Sequence, residues 1–317
     1  QETVSNEPLI SKEPAPGKVV TEVPEPMSGG VTWNLSNGAT VIVKKTDFKE
    51  DQILFNAVSR GGFSLFDISD VINSKVINDV ATLGGVGNFS ATDLRKVLAG
   101  KIVQIRPTIG TFSEAVSGST APKDIETFMQ LVYLNFTSLR KDDEAFESYR
   151  GRMEAALKNA ASEPMTAFSD TLQKHLYNNN PYAKRITVDM LEKVDYERTL
   201  NLAKERFANA ADFTFVFVGN IDPATLKPLV EKYIASLPGN KGKKEDWKNI
   251  GMVPVKGKVQ KHFEKEMQTP KATIYSIYSG KAPYSVENLI MADMTKQIFD
   301  MVFTRTNREE EQGTYGV

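Results

Sequence analysis

Cysteine is absent from all 317 residues, and histidine occurs only twice, at His175 and His262. Without thiols the chain can form no disulfide, no thiolate nucleophile and no Cys-based zinc site. Catalytic zinc takes three protein ligands and keeps one open position, commonly with imidazole and carboxylate donors. His175, in LQKHLY, falls in a helical pattern with no second histidine one turn away, and His262, in KHFEKE, has Lys265 three residues on. Both read as ordinary, surface or partly buried histidines, so no metal site is expected in this chain. Long apolar runs are missing too: none approaches the roughly 18–20 residues that span a bilayer, so no transmembrane segment is expected. A formal net charge of −1 removes the electrostatic case for a nucleic-acid partner or an acidic membrane surface. The chain starts with Gln1 and has no charged-then-apolar leader, so the expectation is that its true start has been removed and any signal peptide with it.

Two further patterns promise chemistry and do not deliver it. Gly84-Gly85-Val86-Gly87 has no following Lys-Ser/Thr and reads as a loop after a helix. The acidic run Asp142-Asp143-Glu144 stands where a helix begins, and acids there meet the positive end of the helix dipole.

What is present is an ordinary globular composition, 40% hydrophobic and 25% charged, enough to build a sizeable core. At about 150 residues per domain the length suggests two domains. Residues 1–30 are rich in Pro and Glu without apolar periodicity, and read as a linker or extended arm. Residues 31–238 carry the signals of one α+β domain. In VTWNLSNGATVIVKK, Val31, Trp33 and Leu35 alternate, Asn37-Gly38 offers a turn with positive φ, and the β-branched run 40–43 follows, which predicts a hairpin. QILFNAV (52–58) is a further strand with Ile53, Phe55 and Ala57 on one face. Helical spacing follows in 124–136, with Asp124 in the N-cap position, in the stretch with Phe146, Tyr149, Met153 and Leu157, and through Tyr196, Leu200, Ala203 and Phe207. In 212–239, Phe213, Phe215 and Phe217 alternate, Gly219-Asn220 breaks the strand, and Asp222-Pro223 opens a helix that Pro238-Gly239 closes.

Residues 239–254, polar and rich in Gly and Lys, are expected to connect domains. From 255 the order of strand, strand and helix returns: KVQKHFEKEMQTPKATIYSIYSG is expected to be extended, and Leu289, Ala292, Ile298 and Val302 mark the apolar side of a helix. Residues 255–317 therefore read as the truncated start of a second, homologous domain. Strands flanking a block of helices predict an antiparallel sheet with helices packed on one face.

LSNGATVIVKK, FTFVFVGNIDPATLKPLVEKYIASLPG and REEEQGTYGV resemble the pitrilysin/insulinase-type zinc peptidases and the related mitochondrial processing peptidases, across essentially all of residues 31–317. The resemblance implies two homologous halves, each of two α+β domains, enclosing a substrate chamber. In that family the first half carries zinc on an inverted His-x-x-Glu-His helix just after the second strand, with a downstream Glu. The corresponding stretch here, DISDVINSKVINDVATLGG (67–85), has no histidine. The chain therefore resembles the metal-free C-terminal half, cut within its last domain, with zinc expected in an N-terminal partner half.

That half usually contributes an Arg and a Tyr, and the spacing of Arg308, Gly313 and Tyr315 resembles this pair. Read without the resemblance, NREEEQG is the charged end of a helix with Gly313 as its cap. As donors, a guanidinium and a phenol could hold a substrate carbonyl and a developing oxyanion. The implied function is a substrate-binding half of a peptidase, acting on peptides or unfolded polypeptides, inactive by itself and exported or periplasmic. Its rivals are a degenerate relative serving as a binding or scaffold subunit, and an unrelated α+β binding domain. Residues after about 255 are expected to pack poorly or to borrow a partner chain's strand, a route to a dimer through an exposed strand edge.

Overall fold

The computed structural model describes residues 7–242 and 244–310, with main chain only for 308–310. It divides into two units, Gln1–Glu266 and Met267–Val317. The first holds a seven-stranded sheet built from β1 (Val19–Glu25), β2 (Gly30–Leu35), β3 (Thr40–Lys45), β4 (Ile53–Arg60), β5 (Val103–Ile109), β6 (Ser113–Thr120) and β7 (Thr214–Gly219), in the spatial order β1-β2-β3-β7-β4-β6-β5. All neighbours are antiparallel except β3 and β7. The strand that closes the repeat thus inserts at the centre, between β3 and β4.

Alternation in sequence becomes alternation of faces. Ile53, Phe55 and Ala57 of β4 are buried, whereas Leu54 and Val58 are exposed. On the buried face the rings of Phe55 and Phe217 lie 5.0 Å apart, and Phe128 meets Phe55 edge-on at 5.3 Å. Each such ring removes 150–250 Å² from water, so this aromatic layer dominates the core.

The helices of the first unit are α1 (Val71–Ser74), α2 (Ile77–Val80), α3 (Ala91–Val97), α4 (Ile125–Thr137), α5 (Asp143–Ser162), α6 (Pro164–Leu176), α7 (Val188–Leu191), α8 (Tyr196–Arg206) and α9 (Pro223–Tyr233), of which α2 and α4 pack on the sheet. Their starts follow local chemistry. Asp142 accepts from the Ala145 N–H and Asp222 from the Ala224 N–H, so both acids cap the helices they precede. Asp124 precedes α4 but makes no cap bond; its buried carboxylate accepts from the Ile102 N–H at 2.8 Å and so ties β5 to the helix layer. The hairpin turn also differs from expectation. Gly38 alone has positive φ, at 90°, while the Asn37 amide donates to the Ile234 and Leu237 carbonyls and holds the end of α9.

The Pro- and Glu-rich arm is structured from residue 7 onward. Leu9 is buried, the Gly17 N–H donates to the Glu231 carbonyl, and β1 pairs with β2 at the sheet edge. The polar connection likewise lies on the first unit: the Lys248 N–H donates to Ser64 Oγ and the Val255 N–H to the Leu176 carbonyl.

In the second unit α10 (Val286–Phe303) begins at Ser285, whose hydroxyl accepts from the Asn288 N–H. Leu289, Ile290, Met294, Ile298 and Phe299 on this helix are all exposed. The strands expected over 258–280 do not form; among the described residues every strand belongs to the single sheet. A strand is defined by its ladder, and alternation of apolar side chains cannot supply the neighbour that a ladder needs.

Candidate functional site

The sheet is clothed on one face only. Its other face presents Leu54, Asn56 and Val58 of β4 beside Ser117 and Ser119 of β6 and, on the outermost strand, Gln104 and Arg106. This face mixes short polar groups with isolated aliphatics, a surface suited to water or to a varied polypeptide rather than to a packed layer.

Strand β5 borders that face. The Ala121 N–H donates to the Ile102 carbonyl and the Gly110 N–H to the Ser113 carbonyl, which sets the ladder phase: even-numbered residues of β5 bond to β6. The odd-numbered residues therefore turn their main-chain groups outward. At one end the Asn78 side chain fills this edge like a short strand, accepting from the Ile109 N–H at 2.7 Å and donating to the Ile109 carbonyl at 2.9 Å. Pro107 has no N–H to offer, which suits an outward position. Val103 and Ile105 each direct an N–H and a C=O away from the sheet, and Pro107 a C=O. The edge is closed at one end and open along the rest.

The stretch after β4, assigned by resemblance to the metal helix, is broken here into α1 and α2, and its polar groups engage one another. The buried Asp70 carboxylate receives Nε and Nη2 of Arg198 at 3.2 and 2.8 Å, and the Asn73 amide at 3.0 Å. The Arg198 hydrogen bonds hold Asp70 below the usual carboxylate range. Lys75 donates to the Lys184 and Tyr182 carbonyls at 2.5 and 3.3 Å, and burial pushes its ammonium down. The Tyr149 hydroxyl donates to Asp79 at 3.0 Å, and burial followed by the Asp79 charge raises its pKa. Among the described residues no group of three or more His, Asp or Glu could hold a metal ion. His175 is half-buried on α6, and His262 is exposed beside Glu264 at 2.8 Å. The side chain of Arg308 and all of Tyr315 lie outside the described residues.

Residues 193–317 match the family described as the peptidase M16 inactive domain. Residues 193–317 thus resemble an M16 inactive domain, and the chain is homologous to the PqqL-like zinc proteases. A zinc protease PQQL-like from Arabidopsis thaliana is 28% identical over 73% of this chain and 22% of its own length. A probable zinc protease PqqL from Haemophilus influenzae is 23% identical over 90% of this chain and 30% of its own length. In fold, the chain is similar to the periplasmic protease PqqL from Escherichia coli, with a TM-score of 0.66 and 22% identity over 77% of this chain and 27% of that one. The chain thus spans between about a fifth and a third of the length of these relatives.

The chain has no inverted zinc motif at 67–85, and an ion pair, a lysine on two carbonyls and a tyrosine on an aspartate stand there. Sequence reasoning missed β5 and its Asn78 stopper. The available signal was VQIRPTI, in which Val103, Ile105 and Ile109 alternate and Pro107 marks an edge strand.

Proposed function

We propose that this chain works as the non-catalytic half of a zinc metallopeptidase, forming part of a substrate chamber and binding extended polypeptide without cleaving it alone. The match of residues 193–317 to the M16 inactive domain carries this reading. The open face of the sheet would line the chamber. The outward groups of Val103, Ile105 and Pro107 would receive an extended segment by strand addition, where main-chain bonds give affinity that tolerates varied sequence. Arg308 and Tyr315 would act as donors to the substrate carbonyl across from zinc held by an N-terminal half. Such donors are worth ~2–4 kcal/mol each in the transition state. The E. coli relative is described as periplasmic, which supports an exported location for this chain.

The test is zinc-dependent cleavage of an unstructured peptide by the protein carrying both halves, beside Arg308→Ala and Tyr315→Phe. Loss of roughly 10²–10³ in kcat with zinc still bound supports the clamp. Unchanged turnover in both variants refutes it. A parent protein that binds peptide but neither holds zinc nor cleaves is instead a binding subunit.

A further inference from the structure

Where β4 and α8 end and β6 begins, one buried cation faces two carboxylates. Glu114 of β6 is 1% exposed and Arg206 of α8 is 9% exposed. Arg206 forks onto Glu245 of the connecting segment, Nη1 to Oε2 at 2.9 Å and Nη2 to Oε1 at 3.3 Å, while its Nη1 stays 3.8 Å from Glu114 Oε1. Glu114 Oε2 accepts from the Gly62 N–H at 2.6 Å. That glycine sits at φ 58° with the Gly110 carbonyl where a Cβ would be, so the donor cannot easily be displaced. Glu114 Oε1 and Arg206 Nε are buried without a hydrogen-bond partner.

Around this core the connecting segment is pinned residue by residue. The Glu245 N–H donates to Asp212, Asp246 pairs with Arg60 at 3.0 Å, the Trp247 ring meets Phe112 at 5.1 Å, and the Lys248 N–H donates to Ser64.

We propose that Glu114 is a proton-operated latch for segment 245–248. With Glu114 neutral, Arg206 and Glu245 form a balanced pair and the segment stays docked. Once Glu114 ionises, two carboxylates compete for one guanidinium in a poorly solvated site. Arg206 needs to close less than an ångström to hydrogen-bond Glu114, so Glu245 is the carboxylate that leaves, since it alone can reach water. Burial is the main cause that pushes Glu114 up to about 7, with the Glu245 charge adding to it against the Gly62 N–H, Arg206 and Ser59. The other charged groups here are Arg60 and Asp246, paired with each other, Asp212, whose carboxyl burial also raises, and Lys244, which lowers it. Release of 245–248 frees the stretch up to Ile250, whose carbonyl stays bonded to the Asn180 amide. The inference does not depend on the peptidase reading, because every group it uses lies in the first unit.

The test is amide hydrogen exchange of the intact chain, comparing protection factors over 244–250 at pH 6 and pH 8. About 10% of a group titrating at 7 is ionised at the lower pH and about 90% at the higher, so protection should fall by about tenfold. Glu114→Gln should keep the pH 6 protection at both values, and Glu245→Gln should lose it at both. Equal protection at pH 6 and 8 in the parent, or an undiminished fall in Glu114→Gln, overturns the latch. Should Glu114→Gln fail to fold, tryptophan emission of the unaltered chain decides instead, with buried Trp33 as a background beside Trp247: a midpoint near 7 supports the latch, and a flat response from pH 5 to 8 overturns it.

Discussion

Arg198→Ala tests whether an ion pair organises residues 67–85, the stretch that the resemblance aligns with a metal helix. Asp70 has only 7% of its side chain exposed, and it receives two guanidinium nitrogens plus the Asn73 amide. Removing Arg198 leaves a buried carboxylate with one neutral donor. Breaking a buried pair from one side costs about 3–5 kcal/mol. Arg198 is 44% exposed, however, so water can enter the space it vacates and soften the loss. We expect about 2–3 kcal/mol, or roughly 5–10 °C in Tm for a unit of this size. The sign with pH follows from the depressed pKa of Asp70. Its pairing stabilises the fold above the unfolded value of 3.8 and is lost as pH falls through the lower folded value. The gap between parent and variant should therefore be full at pH 6 and shrink below about pH 3–4. Urea unfolding at pH 6 measures it, with Asp70→Asn/Arg198→Ala as the partner variant. The double variant should recover about 1–2 kcal/mol relative to Arg198→Ala, because the orphaned charge is gone. A loss under about 0.5 kcal/mol for Arg198→Ala, or strict additivity in the double variant, would refute the argument.

Phe217→Ala should cost about 3–5 kcal/mol by urea unfolding, since this fully buried ring touches Phe55 across the two central strands; a loss below about 1 kcal/mol would contradict that packing. Ile105→Pro removes an outward N–H of β5 without touching the β6 ladder, so its stability cost should stay within ~1–2 kcal/mol of lost apolar burial. Peptide binding to the sheet edge should nevertheless weaken, measured by calorimetry with an unstructured peptide. Unchanged affinity would place the peptide elsewhere.

Much of this architecture is legible from local rules. Ile53, Phe55 and Ala57 alternate in sequence and in burial, and Asp142 and Asp222 start helices as their positions require. Asp124 and Asn37 show where such rules stop. Each stands at the right boundary, yet each spends its side chain on a distant partner, Ile102 or the end of α9, that only the fold brings within reach. The placement of β7 between β3 and β4 was not legible, since nothing in its sequence records which strands flank it. The Glu114–Arg206–Glu245 cluster joins residues up to 131 positions apart, and only the fold brings them together. Of the candidate site, the lack of a zinc motif at 67–85 was plain in the sequence, whereas the open edge of β5 depended on ladder phase and on Asn78.

A non-catalytic half should contribute binding and no hydrolysis. Dialysis of the chain against zinc followed by metal analysis, with a peptide-cleavage assay on the same sample, tests it most directly. No zinc retained above background and no cleavage are expected. One zinc per chain together with zinc-dependent turnover would contradict it.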